Sequence, residues 1–336
     1  MQTQPTDSST SNPAIGSTGF SARAAGMWDL INRSGIVLVF LILFAALSFA
    51  VPGFLSSRNI QGLLLSVTLI GSISVTMMFV LALGEVDLSV ASIVAFAGVV
   101  ASTLITATHS VLLGVAAGVL AGGAVGLVNG VLVARYKINS LIVTLAMMEV
   151  VRGLAFITSN GDAVMISEER FFDLGGGSFL GISYPIWSNI IGFVLFGFLL
   201  KKTVFGKNVL AVGGNSEAAL LAGLPVNRIK ITVFVLQGLV TGFAGVMLAS
   251  RMSLGDPKTS VGLELGVISA CVLGGVSLTG GVATISGVLV GVLIMGSVQD
   301  AMSLMNVPTF YQYLIRGGIL LVAVLFDRIR RNKRVA

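Results

Sequence analysis

The sequence alternates between long apolar runs and short polar connectors, and the runs are the length of membrane-crossing helices rather than of strands. A helix needs about 20 mostly apolar residues to cross a bilayer. Ten stretches qualify: 36–52, 60–83, 88–106, 111–134, 138–158, 185–200, 229–250, 261–279, 282–300 and 309–327. The sixth is short, and the breaks at 84–87 and near 280 are only a few residues long. The expected fold is all-α, a polytopic membrane protein with about ten transmembrane helices.

An even number of spans brings both termini to one side. With that side taken as the cytoplasm, fourteen of the 20 basic residues fall on inner segments, among them Arg135, Lys137, Lys201, Lys202, Lys207, Arg228 and Lys230. Only Arg58, Arg170, Arg251 and Lys258 fall outside, while Arg152 and Arg316 lie within spans. Lys and Arg accumulate on the cytoplasmic side of membrane proteins, so both termini are expected there. Residues 1–26, rich in Ser, Thr, Pro and Gly, are expected to be a disordered cytoplasmic tail. They lack the basic segment, short apolar stretch and cleavage site of a removable signal peptide. Residues 27–336 then form one transmembrane domain with a cytoplasmic loop at 201–228. The longest outer loop, 159–184, is acidic and long enough to fold locally.

Composition narrows the class. Charged residues make up 10% of the chain, against about 25% in soluble domains, which excludes a soluble enzyme and intrinsic disorder. The net charge of +6 is spread over the connectors, so it reports topology and no nucleic-acid partner is expected. Cys271 is the single cysteine and His109 the single histidine. A disulfide framework and a Cys or His metal site are therefore excluded, and no metal site is expected.

The 42 glycines follow no collagen-like period. Gly114, Gly118, Gly122, Gly126 and Gly130 recur every four residues, which keeps them on one helix face and lets a neighbouring backbone approach closely. That face packs within the chain or against another subunit.

Polar groups within the spans are few. Gly84, Glu85, Asp87 and Ser89 form a helix-break motif in which Asp87 is placed to cap the following helix; the role of Glu85 is open. Gly84–Val90 is echoed by Gly274–Gly280, and transporters often contain internal repeats with interrupted helices at matching places. Glu149 and Arg152, at i and i+3, are spaced for an ion pair that either faces a hydrated cavity or bridges the structure. Asn129, Asn139, Glu149, Arg152, Gln237 and Gln299 are the candidates to line a translocation path, and each could equally bond a neighbouring helix.

In the cytoplasmic loop, Gly213-Gly214-Asn215-Ser216 leads into Glu217-Ala218-Ala219-Leu220-Leu221-Ala222-Gly223. Asn215 or Ser216 can cap a short helix, and Gly223 with Pro225 can end it. Its Ala/Leu face suits a groove on another protein. The only Gly-Lys pair, Gly206-Lys207, is followed by Asn208 and lacks the upstream glycine of a Walker A loop. No cofactor is expected on this chain, and any ATP drive needs a separate subunit.

At these residues the chain resembles a known family. Glu217-Ala218-Ala219 with Gly223 is similar to the EAA loop of bacterial ABC-importer permeases. Gly84-Glu85-Val86-Asp87-Leu88-Ser89-Val90-Ala91-Ser92 and Ile268–Leu278 resemble the ribose/arabinose/xylose branch of sugar permeases. Asp87–Ser92 and Phe326-Asp327-Arg328 are similar to its L-arabinose members, with Ala91 where many of the branch have glycine. The resemblance implies a multi-pass permease of the bacterial inner membrane, surrounded by lipid and working as a pair of copies. A cytoplasmic subunit using ATP and Mg would dock on Asn215–Gly223, and a periplasmic sugar-binding protein on the outer face. The chain itself would be no enzyme. Two other classes stand beside this one: an ion-coupled secondary transporter using Glu85, Asp87, Glu149 and Arg152, and a membrane enzyme, for which no catalytic set is visible.

Overall fold

The computed structural model describes residues 35–335, with side chains described as far as Leu325. The stretch 1–26 and the side chains of Phe326, Asp327 and Arg328 lie outside the described residues. In chain order the helices begin with α1 (Gly35–Ala50), α2 (Ser57–Ala82), α3 (Val90–Thr108), α4 (Val111–Ala134) and α5 (Ser140–Thr158). After strand β1 (Val164–Met165) come α6 (Glu169–Gly176), the strands β2 (Ser178–Phe179) and β3 (Ile182–Ser183), α7 (Tyr184–Lys202), α8 (Val204–Gly214) and α9 (Ser216–Leu221). The chain continues through α10 (Val226–Met252), β4 (Leu254–Gly255), α11 (Leu263–Leu273), α12 (Ile285–Leu304) and α13 (Thr309–Val335).

By length and composition, α2, α3, α4, α5, α7, α10 and α12 can each cross a membrane. α1, α11 and the Thr309–Leu325 part of α13 are shorter apolar helices. The chain is an all-α polytopic membrane protein.

The stretch 261–279, read from its apolarity as one span, is not one helix. α11 stops at Leu273, and 274–284 runs as turns and extended chain. The helix is closed by a Schellman motif: Gly275 has φ +78, its N–H donates to the Val272 carbonyl at 2.9 Å, and the Val276 N–H donates to the Cys271 carbonyl at 3.0 Å. α2 ends in the same way at Gly84, with φ +76, Gly84 N–H to Leu81 O at 2.8 Å and Glu85 N–H to Val80 O at 3.2 Å. The echoed segments thus carry one stop signal twice, with Gly84 corresponding to Gly275 rather than to Gly274.

The glycine row of α4 is buried within the chain. A Cβ on Gly118 would press on Val246 and on the Ala97 carbonyl of α3. Cβ atoms on Gly122 and Gly126 would run into the Gly238 and Phe234 carbonyls of α10. Gly238 and Gly242 answer from α10, so two backbones lie against each other with no side chain between them. Such an approach gains dispersion and Cα–H···O contacts that any larger residue would forfeit.

The connectors sort into two groups at opposite ends of the bundle. One end joins 83–89, Ser140, Lys230 and Gly281 through hydrogen bonds and an ion pair. At the other, β1 pairs antiparallel with β4, the Thr106 hydroxyl donates to the Met165 carbonyl at 3.2 Å, and His109 meets Glu168 at 2.7 Å. Segment 159–183 folds there into β1, the amphipathic α6 and the β2–β3 hairpin, whose Leu180 and Gly181 take positive φ.

Candidate functional site

The break between α2 and α3 gathers buried polar groups from four elements of the fold. Asp87 and Ser89 are fully buried. Asp87 Oδ1 accepts from the Ser89 N–H at 2.9 Å and from the Ser89 hydroxyl at 2.6 Å. Asp87 therefore does not cap the free N–H groups of α3. It closes a turn one residue earlier and so fixes where that helix starts. Ser89 Oγ in turn accepts from Asn129 Nδ2 of α4 at 2.9 Å. In this connector, outside the helical spans, burial pushes the Asp87 carboxyl up to about 6, against the pull of its bonds to Ser89.

Neighbouring residues tie the same turn to three other elements. The Val86 N–H donates to Ser140 Oγ at 3.1 Å, and the Thr144 hydroxyl donates to the Val86 carbonyl at 3.4 Å, both from α5. Glu85 forms an ion pair with Lys230 of α10, both side chains largely shielded from solvent. The Ala82 carbonyl, last in α2, accepts from the Gly281 N–H at 2.9 Å and so joins one helix break to the other.

The loop helix stands beside this cluster. Asn215 Oδ1 accepts from the Ala218 N–H at 2.9 Å and opens α9. Gly223, at φ +83, closes it, with Gly223 N–H to Leu220 O at 2.9 Å and Leu224 N–H to Ala219 O at 3.0 Å. Ala219 faces inward, while Ser216, Glu217, Ala218, Leu220 and Leu221 are exposed. Leu221 is 84% exposed on a loop rather than on a span, so its apolar surface has no covering among the described residues.

The six polar candidates fall into separate contacts. Asn129 belongs to the Ser89 cluster, and Gln237, fully buried in α10, donates to Thr241 Oγ1 at 3.3 Å. Asn139 caps α5 through its bond from the Leu141 N–H at 2.9 Å. Gln299 is half-buried near the end of α12. Arg152 does not form the expected ion pair with Glu149. Its guanidinium donates to the Pro257 and Thr259 carbonyls at 2.6 and 2.9 Å, because the turn after β4 lies over this part of α5 and offers two converging acceptors. Glu149 is left exposed near the middle of α5. The Lys230 contact, the Ser140 and Thr144 bonds and the contribution of Gly213 described below were not legible as site features; the Gly213-Gly214 pair before the loop helix was their only visible sign.

Comparison with known proteins places the chain. The L-arabinose ABC transporter permease protein of Azospirillum brasilense is 90% identical over 316 residues, covering 94% of this chain and 93% of the relative. The L-arabinose transport system permease protein of Escherichia coli is 50% identical over 97% of this chain and 99% of its own length. The ribose import permease protein of Bacillus subtilis is 37% identical over 89% and 94%. No solved structure gives a match. The family model described as branched-chain amino acid transport system / permease component matches residues 59–324. With most of its length matched and relatives similar from end to end, the chain belongs to that permease family.

Proposed function

We propose that the chain is the membrane-spanning subunit of an ATP-driven importer for L-arabinose in a bacterial inner membrane. The observation that carries this reading is the 90% identity, over 94% of the chain, to a protein named as an L-arabinose permease. The end of the bundle bearing Arg135, Lys137, Lys207, Arg228 and Lys230 faces the cytoplasm in this reading, which places both termini there. A separate ATPase, using ATP and Mg, seats α9 through the exposed Glu217, Leu220 and Leu221. A periplasmic sugar-binding protein delivers sugar to the opposite end, against α6 and the β-paired turns.

Two copies of the chain enclose the path, and α5 faces it. An exposed carboxylate near the middle of a spanning helix costs about 3 kcal/mol in lipid. Glu149 is therefore better placed against water, where it can accept hydrogen bonds from sugar hydroxyls. A Cβ on Gly153, four residues further on, would meet nothing within 4 Å, so this stretch of α5 offers open room.

An ion-coupled mechanism finds no support in the same side chains. Glu85 is held by Lys230 and Arg152 by two carbonyls. Ser140, which touches the Glu85–Asp87 turn, lies twelve residues from Arg152, about 18 Å along α5. The test is reconstitution with the ATPase and the binding protein in liposomes. ATP hydrolysis and uptake should rise with L-arabinose above other pentoses and hexoses. Uptake by the chain alone on an ion gradient would overturn the proposal.

A further inference from the structure

The two helix breaks meet α8 at one point, and the residue at that point is Gly213. A Cβ there would overlap the Ala82 carbonyl oxygen and lie 2.8 Å from the Gly281 nitrogen. Those are the two atoms whose hydrogen bond joins the breaks. From the other side, a Cβ on Gly280 would sit 2.5 Å from the Gly213 carbonyl oxygen and 2.9 Å from the Gly84 nitrogen. A Cβ on Gly84 would come 3.3 Å from the Thr279 carbonyl. Gly84, Gly280 and Gly281 all hold positive φ, so each backbone is shaped for this crossing. Three backbone segments, from α8, the α2–α3 break and the α11–α12 break, are thus in mutual contact with no side chain between them.

The position of this contact in the chain gives it a consequence. One residue after Gly214, Asn215 opens α9. α8 is held against the core by Val209 and Val212, both essentially buried. α8 and α9 are joined by a single non-helical residue, so a displacement of α9 has no slack in which to dissipate before it reaches Gly213. Close-packed backbone transmits displacement where flexible side chains would absorb it.

We propose that Gly213 is a positioning residue that passes movement of α9 to both helix breaks at once, so that α2–α3 and α11–α12 respond as one unit to the ATPase. The inference rests on the permease reading above, and coupling of this kind requires an element that both ends bias.

The test compares Gly213→Ala with Gly214→Ala in the full complex. Both changes favour helix to the same degree, but a Cβ on Gly214 meets only the Gly281 Cα, at 4.0 Å. Gly214→Ala should behave as the parent. Gly213→Ala should copurify with the ATPase at the parental ratio while sugar-stimulated ATP hydrolysis and uptake fall at least tenfold. Parental uptake by Gly213→Ala would overturn the proposal. If Gly213→Ala fails to reach the membrane, inserting Gly-Gly between Gly214 and Asn215 decides, because it leaves the contact and α9 intact and adds slack between them. ATPase bound with uptake lost supports the proposal. Uptake retained overturns it, and so does loss of ATPase binding in the inserted chain, since the slack-free junction between α8 and α9 would then serve docking rather than transmission. Failure of the parent chain to bind any ATPase would instead remove the permease reading itself.

Discussion

The backbone of Gly281 donates to the carbonyl of Ala82 at 2.9 Å, across almost two hundred residues of sequence. The acceptor is one of the last carbonyls of α2, which has no partner within its own helix. One hydrogen bond therefore satisfies an orphan group and fixes the distance between two interrupted helices.

Glu85 and Lys230 are mostly shielded and paired with each other. Removing either alone leaves a charge in a poorly solvated place. Glu85→Gln or Lys230→Met should lower stability by about 1–3 kcal/mol, and the double change should cost less than the sum of the singles. Thermal unfolding in detergent, run as a double-mutant cycle, measures the coupling; additive losses would show the pair to be incidental.

Gly126 and Gly123 separate two kinds of crowding on α4. A Cβ on Gly126 would meet the Phe234 backbone, which cannot move without α10, whereas a Cβ on Gly123 would meet the Leu239 side chain, which can turn aside. Gly126→Ala should cut the folded yield in membranes severalfold and Gly123→Ala should leave it near parental. Equal yields would place the helix contact elsewhere.

Asp87 should make stability depend on pH in a defined direction. Its folded value, about 6, lies above the ordinary carboxylate value. The native state therefore holds the proton more tightly than the unfolded chain, and stability falls as pH rises from about 4 to about 6. The contribution amounts to up to about 3 kcal/mol. Asp87→Asn should flatten that part of the profile relative to the parent when unfolding is followed in nanodiscs across pH 4–7. A variant with an unchanged slope would rule out Asp87 as its source.

Arg152 holds the turn that follows β4 through the carbonyls of Pro257 and Thr259. Arg152→Gln should leave α5 helical and weaken the turn by about 1–3 kcal/mol. Amide exchange over 256–262 should accelerate about tenfold or more, with exchange in α5 unaffected. Unchanged exchange would mean that the turn is held by its own backbone bonds.

Apolar run length located the spanning helices well. The 111–134 stretch is α4 residue for residue, and 185–200 lies within α7. It failed at 261–279, because the transfer energy of a side chain is nearly the same in a helix and in an extended segment covered by protein. The stop signal was present in Gly274-Gly275 and Gly280-Gly281, but glycines inside an apolar run read equally well as packing residues. At the site, Asn215 and Gly223 announced α9 because caps are local chemistry. Gly213, Lys230 and Ser140 did not stand out, since each acts through a partner between 54 and 145 positions away in sequence, and nothing local records such a partner.

The shortness of α11 has a consequence for how the protein is made. Its eleven residues rise about 16 Å, roughly half of the 30 Å hydrocarbon layer. The chain that continues from it has peptide groups that are not satisfied within a helix, and lipid cannot satisfy them. One of them, the Gly281 N–H, finds its partner in the Ala82 carbonyl at the end of α2, which leaves the ribosome nearly two hundred residues earlier. During synthesis, α11 and the break after it therefore cannot settle into the bilayer as an independent rod, as α10 and α12 can by their length. That break is completed only against the end of α2, so its seating depends on the first half of the protein already being in place.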